Sequence, residues 1–329
     1  MSEESQAAPR PYVAVVGGAN LDIGGRCLSK YVPRDSNPGR VSVTPGGVGR
    51  NIAQNLSQLG LEVKLITALG RDANGALLLR LCRQAGLDLS ASLVGENDST
   101  SVYLFVSDEN GEMRAAINDM EVLQRLTPEY LASQLDLLNR AAAIVLDANL
   151  PQETILWLAQ HCSPPLFADP VSTAKAERLR PALPYLHTLK PNAMEAELLS
   201  GRAEAERAAQ ALLRRGVKRV FISRGRDGVL CAEEGAMLSV PLPRAAQTKG
   251  DKGETWCKGS TTGAGDAFLA ALVWCWLQGR DLRQTADLGL AAAALTLEAE
   301  GAVAPNLTAA TVLRRAGMAT ADLQSGGKA

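Results

Sequence analysis

The chain has 329 residues, 46% of them apolar, which is enough for one α/β domain with an appendage and too apolar for global disorder. Its 34 basic and 35 acidic residues leave a net charge of −1. That balance supplies neither the basic footprint of a nucleic-acid-binding protein nor a polybasic membrane patch, so an anionic ligand must be held by local geometry and a metal ion.

The opening MSEESQAAPRPY is polar and lacks the apolar core of a signal peptide. Apolar tetrads bounded by turn residues then recur as predicted buried strands: YVAVVGG (12–18), VKLITALG (63–70), AAAIVLDAN (141–149), PLFADP (165–170), HTLKPN (187–192) and RVFISRG (219–225). Predicted helices lie between them at 51–60, 75–86, 128–141 and 193–201. Alternation of this kind implies a parallel sheet covered on both faces, with ligands bound at the carboxyl edge of the strands. Residues 20–45 break the rhythm with polar strand-like pieces and no helix. Residues 98–118 read as a hairpin turning at Asn110–Gly111, and the two segments together predict a small second sheet, a lid beside the ligand edge. QTKGDKGETWCKG (247–259) reads as a loop. AFLAALVWCWL is too short to span a bilayer, and it predicts a buried helix. The six cysteines (Cys27, Cys82, Cys162, Cys231, Cys257, Cys275) have no metal-site spacing and fit free thiols in a reducing compartment, so the expected location is cytoplasmic.

Four motifs carry candidate chemistry. In VVGGANLD (15–22), Asn20 and Asp22 leave a strand two residues apart and can face one way, as a grip for vicinal hydroxyls or as a plain turn pair. In TPGGVGRNIAQNLSQLG (44–60), Gly46 and Gly47 allow close backbone approach and Asn51 offers a donor and an acceptor, although an ordinary glycine turn reads the same way. In LKPNAMEAELLSG (189–201), Asn192 and Glu195 have capping-box spacing, and a Mg²⁺ hydration shell is the alternative use of the pair. In KGSTTGAGDAF (258–268), small residues enter a helix whose first amides form an anion site. Asp266 there is either a comfortable helix-start residue or a base beside a phosphoryl group. Walker A order is absent, since Lys258 precedes Gly259, and the dinucleotide fingerprint fails at Ile52.

In this order, GANLD, the GGVGRN block, KPNAMEAE, the SRGRDG loop and TTGAGDAF resemble the ribokinase-like (PfkB) family of carbohydrate and nucleoside kinases over nearly the whole chain. Within that family, residues 35–56, 111–120 and 168–172 are more similar to the branch that phosphorylates the C-nucleoside pseudouridine than to the sugar kinases. The resemblance implies one doubly wound α/β domain over residues 1–329, with 20–45 and 98–118 as a β-sheet lid. It also implies ATP-dependent phosphorylation of the 5′-hydroxyl of pseudouridine. Ribose, fructose and adenosine or inosine remain alternative substrates, and a non-catalytic nucleoside binder is a further alternative.

The resemblance makes Asp266 the base and the amides of Gly263, Ala264 and Gly265 the anion hole. It puts Asn20, Asp22, Gly46, Gly47 and Asn51 on the ribose, with Asn118, Asn149 and Asp169 as further substrate contacts. It assigns Ser223, Gly225, Gly228 and Thr262 to ATP, and Asn192 and Glu195 to Mg²⁺ through water. Ser260 stands where many members carry an Asp that helps bind a monovalent cation such as K⁺, so Ser260 and Gly301, in the GAVAP turn (301–305), are the cation candidates. A homodimer formed lid to lid is also implied.

Overall fold

A computed structural model of the protein describes residues 11–242 and 263–319. Fourteen strands are assigned among these residues. They run β1 (Tyr12–Val16), β2 (Asn20–Cys27), β3 (Gly39–Gly46), β4 (Glu62–Ile66), β5 (Ala68–Gly70), β6 (Leu93–Gly95) and β7 (Val102–Ser107). They continue β8 (Met113–Asp119), β9 (Ala143–Asp147), β10 (Leu166–Asp169), β11 (Leu186–Leu189), β12 (Arg219–Ser223), β13 (Val229–Glu233) and β14 (Ala236–Val240). The main sheet has the order β14-β13-β12-β11-β10-β9-β1-β4. From β4 to β12 its pairings are parallel, and β13 and β14 add an antiparallel edge.

Strand alternation divides the core between the two faces of this sheet. Val13 and Val15 point to one face with Ile52, Leu56 and the buried side of the helix Ala264–Leu277. Ala14 and Val16 point to the other, with Leu146, Leu158 and Leu199. Each buried Val, Leu or Ile contributes about 1.5–3 kcal/mol over leaving it exposed, which explains why these strands are apolar on both faces. Because β1, β9, β10, β11 and β12 are parallel, their carboxyl ends deliver Gly17, Asp147, Asp169, Lys190 and Ser223 to one edge.

The segments 20–45 and 98–118 meet in a second sheet, β3-β2-β7-β8, in which β2 and β7 are parallel and the outer pairs antiparallel. Its two faces differ in chemistry. Asp22 is in register with Thr44 and Tyr103, and Tyr103 with Asn118, which makes one face polar and aromatic. Ile23 is in register with Val43 and Leu104, and Leu104 with Ile117, which makes the other apolar. At the hairpin, the Asp108 carboxylate accepts from the amides of Asn110 and Glu112, and Gly111 takes φ +86° to close the turn. β5 and β6 pair separately.

Three stretches differ from the sequence reading or lie beyond it; VKLITALG (63–70), expected as one strand, divides into β4 in the main sheet and β5 in a separate pair. Residues 128–141, expected as one helix, form two short ones, Pro128–Ala132 and Leu135–Asn139. Both the amide and the hydroxyl of Ser133 donate to the Tyr130 carbonyl, which tightens and ends the first helix. The expected loop at 247–259 lies outside the described residues. Among those described, no helix is long and apolar enough to cross a membrane.

Candidate active site

The helix Ala264–Leu277 starts from Gly263, whose φ of +91° favours glycine. A Cβ at this position would lie 1.8 Å from the Ala302 carbonyl oxygen, so the turn after Glu300 packs directly on the helix entry. A helix start leaves its first amides, here those of Gly263, Ala264 and Gly265, without intrahelical acceptors. A Cβ on Gly265 would lie 2.7 Å from Lys190 Nζ. Glycine there lets a side-chain cation approach the helix start.

Lys190 follows β11 and is buried against Asp169, with Nζ 2.8 Å from Oδ2. Burial works against its charge, but Asp169, Asp266 and Glu195 outweigh that and raise its pKa. The other Asp169 oxygen accepts from the amide of Val171 at 2.7 Å. Val171 itself holds φ +66°, a left-handed conformation that a β-branched residue adopts only under surrounding constraint. Asp169, expected among the substrate contacts, is thus held by Lys190 and its own turn.

Asp266 lies in the first turn of the helix, 6% exposed, and its Oδ2 accepts from Asn51 Nδ2 at 2.8 Å. Burial and the neighbouring Asp169 push its carboxyl up to about 7, Asn51 and Lys190 pull it down, and Asp147 adds a smaller upward push. Asp147 closes the adjoining loop by accepting from the amides of Gly18 and Asn149, and burial pushes its own carboxyl up to about 6.

The hydroxyl-binding candidates adjoin this centre. Asn20 Nδ2 donates to Asp22 Oδ1 at 2.6 Å, so both side chains leave β2 on one face. A Cβ on Gly46 would strike the Asp22 carboxylate at 2.4 Å. Gly47, at φ +97°, turns the chain from β3 into the helix Val48–Gln58, which carries Asn51. Asn20, Asp22, Gly46, Gly47 and Asn51 therefore form a continuous polar wall ending at Asp266. Asn149 belongs to a neighbouring network, accepting from Lys175 Nζ at 2.6 Å. Asn118 lies on the polar face of the small sheet, opposite Tyr103.

Asn192 and Glu195 form a complete capping box: the Asn192 amide donates to Glu195 Oε2, and the Glu195 amide to Asn192 Oδ1. Glu195 is buried and shifted upward by that burial, with Asp169 adding to the shift and Lys190 opposing it. Asn192 bridges to Ser223, and Gly225 (φ +59°) and Gly228 (φ +82°) shape the turn that follows. Gly301 takes φ +91° in the turn that packs on Gly263. Ser260 and Thr262 lie outside the described residues.

Two residues at the centre were not singled out from the sequence: Lys190 and Arg50. Each had a signal. A lysine ending an apolar strand is rarely buried without a partner, and an arginine inside an apolar helix face raises the same question.

The pfkB family of carbohydrate kinases matches residues 10–309. The chain belongs to that family. This pfkB kinase is 36% identical over 310 residues to the pseudouridine kinase of Escherichia coli strain K12, covering 92% of this chain and 96% of that one. It is equally identical, over 309 residues, to the uncharacterized sugar kinase YeiI of the same strain, covering 92% and 82%. Among solved structures, a carbohydrate kinase from Agrobacterium tumefaciens superposes with a TM-score of 0.82 at 29% identity, covering 94% of this chain and 97% of that one. A ribokinase from Thermotoga maritima gives 0.76 at 26%, covering 89% and 94%. The fold is ribokinase-like, and the chain is a sugar or nucleoside kinase.

Proposed function

We propose that the protein transfers the γ-phosphoryl group of ATP to the 5′-hydroxyl of pseudouridine, releasing ADP and pseudouridine 5′-phosphate. The observation that carries the chemistry is the junction of three parts at Asp266: the polar wall from Asn20 to Asn51, the helix-start amides, and the Lys190 ammonium. The relative named as a pseudouridine kinase supports the substrate. In the reaction the bond from Pγ to the β-bridging oxygen breaks as the 5′-oxygen bonds to Pγ, and Asp266 takes the hydroxyl proton. The wall aligns the hydroxyl, while the amides of Gly263, Ala264 and Gly265, together with Lys190, neutralise the phosphoryl oxygens.

No cluster of three or more His, Cys, Asp or Glu that could cage a metal ion is found among the described residues. That suits Mg²⁺, which keeps several waters and rides on phosphates. Glu195, with one carboxylate oxygen held by the capping box, and Asn192 would hold it through water. When bound, Mg²⁺ neutralises charge on the phosphates.

For the base, the polar face of the small sheet offers Tyr103 and Asn118, with Tyr103 and Phe105 rings 5.6 Å apart. An amide and an aromatic ring on one face suit a planar base carrying donors and acceptors, so the lid rather than the wall would tell pseudouridine from ribose. The apolar face behind it exposes Val41 (75%) and Ile117 (65%), and it is proposed as the surface that pairs two lids in a homodimer. Five unpaired cysteines among the described residues suit the cytoplasm.

The test is ADP release with a panel of nucleosides and sugars. Pseudouridine should give the highest kcat/KM, with uridine well below it. A clear lead for ribose, fructose or adenosine would overturn the substrate and leave the kinase assignment intact. Sedimentation of the native protein beside an Ile117→Asp variant checks the lid face: a dimer that the variant dissociates is expected, and a native monomer rejects it.

A further inference from the structure

Arg50 is 4% exposed, on the first turn of the helix Val48–Gln58. Taking a guanidinium out of water is costly and is normally offset by a carboxylate in direct contact. Among the described residues no ion pair involves Arg50. Its two amino groups donate to neutral acceptors instead, Nη1 to the Pro45 carbonyl at 2.9 Å and to Asn51 Oδ1 at 2.7 Å and Nη2 to Gln54 Oε1, while its buried Nε has no hydrogen-bond partner among the described residues. Packing alone does not require this, since a methionine would fill the same space without desolvating a charge.

The chemistry of the contact with Asn51 supplies a reason. An amide side chain presents an acceptor on one side and a donor on the other, and either end fits the same volume. Guanidinium can only donate. Next to Arg50, the Asn51 oxygen must face the arginine, so the nitrogen must face Asp266, as the 2.8 Å contact from Nδ2 to Oδ2 requires. We propose that Arg50 is a positioning residue for phosphoryl transfer: it locks the Asn51 amide in one orientation, so that Asp266 always meets a donor on Oδ2 and turns its other oxygen to the acceptor hydroxyl. The proposal rests on Asp266 being the base. Without the lock, a flipped amide would set a carbonyl oxygen against the carboxylate, favouring the protonated acid and disabling the base.

The charged groups facing Asp266 set the sign of the effect. They are Asp147 at the end of β9, Asp169 at the end of β10, Lys190 after β11, and Arg50 beside Asn51 on the packed helix. The two aspartates favour protonation of Asp266 and the two cations oppose it. Facing Arg50 itself are Asp22, Asp266 and the Cys82 thiol. Loss of Arg50 removes both a cation and the amide lock, and each change moves Asp266 toward the protonated form.

The experiment compares Arg50→Gln, which is neutral and can both donate and accept, with Arg50→Lys, which remains a cation with donors only. The Gln variant should move the acid limb of kcat/KM up by about half a pH unit or more, and the Lys variant should leave it near the native position. In the native protein, nitrogen–proton NMR of the Asn51 side chain should follow the Asp266 carboxyl titration read from its carboxyl carbon. That coupling should survive in the Lys variant and vanish in the Gln variant. An unmoved acid limb in a folded Gln variant overturns the proposal. So does a native Asn51 amide that ignores the Asp266 titration, and that result is readable even if neither variant folds. Full turnover in Asp266→Asn would instead remove the base, while the NMR coupling would still decide whether Arg50 sets the amide.

Discussion

Asp266→Asn is expected to slow turnover by roughly 10²–10⁴-fold while leaving nucleoside affinity nearly unchanged, the pattern of a lost base rather than a lost contact. The substitution is nearly isosteric and can still accept from Asn51 Nδ2, so the wall from Asn20 to Asn51 keeps its shape. Only the capacity to take a proton is removed. Because burial and Asp169 push the carboxyl up to about 7, native kcat/KM should rise with pH through that region and level off above it. Stability should run the opposite way. An aspartate with an unfolded pKa near 3.9 and a folded value of about 7 binds more protons in the native state between those limits. Stability therefore falls as pH rises across that window. The Asn variant has no such charge to bury and should melt higher than the native protein at pH 8. Turnover by stopped assay and melting by calorimetry check both halves, and a variant with near-native turnover removes Asp266 from the mechanism.

The fold was legible in the sequence because its strands are short, apolar on both faces and closed by Asn, Asp or Gly; that pattern has few other meanings. The helix break at Ser133 was not legible, since it depends on which acceptor a hydroxyl finds. At the candidate site, backbone approach and turn chemistry demand glycines, as at Gly263, and the residue types alone made such positions candidates, as they did Asp266. Lys190 and Arg50 were not, although both sat inside quoted motifs. Their settings depend on burial and on groups distant in sequence, such as Asp169 and Gly265 for Lys190 and, through Asn51, Asp266 for Arg50. Spacing along the chain carries no trace of either contact. Asn192 and Glu195 show the reverse case: the capping box read from their spacing is present in full, and the same residues are also proposed to face the metal's waters.

Lys190→Met is the second substitution with a large expected effect, and it acts on two properties at once. Removing the ammonium leaves Asp169 buried without its partner, which costs about 3–5 kcal/mol when a buried pair is broken from one side. It also withdraws a fixed positive charge from beside Gly265, the proposed site of the phosphoryl oxygens, a loss expected to cost about 10²–10³-fold in kcat. The two effects separate in the double variant Lys190→Met with Asp169→Asn. An asparagine can still accept from the Val171 amide, so the turn is kept and the orphaned charge is gone. Stability should return most of the way, and kcat should not. The acid limb discriminates further: losing Lys190 alone raises the Asp266 carboxyl, whereas also losing the Asp169 charge lowers it again, since those two neighbours act on it in opposite directions. If the double variant recovers kcat together with stability, Lys190 serves only to neutralise Asp169, and the anion site consists of the helix-start amides alone.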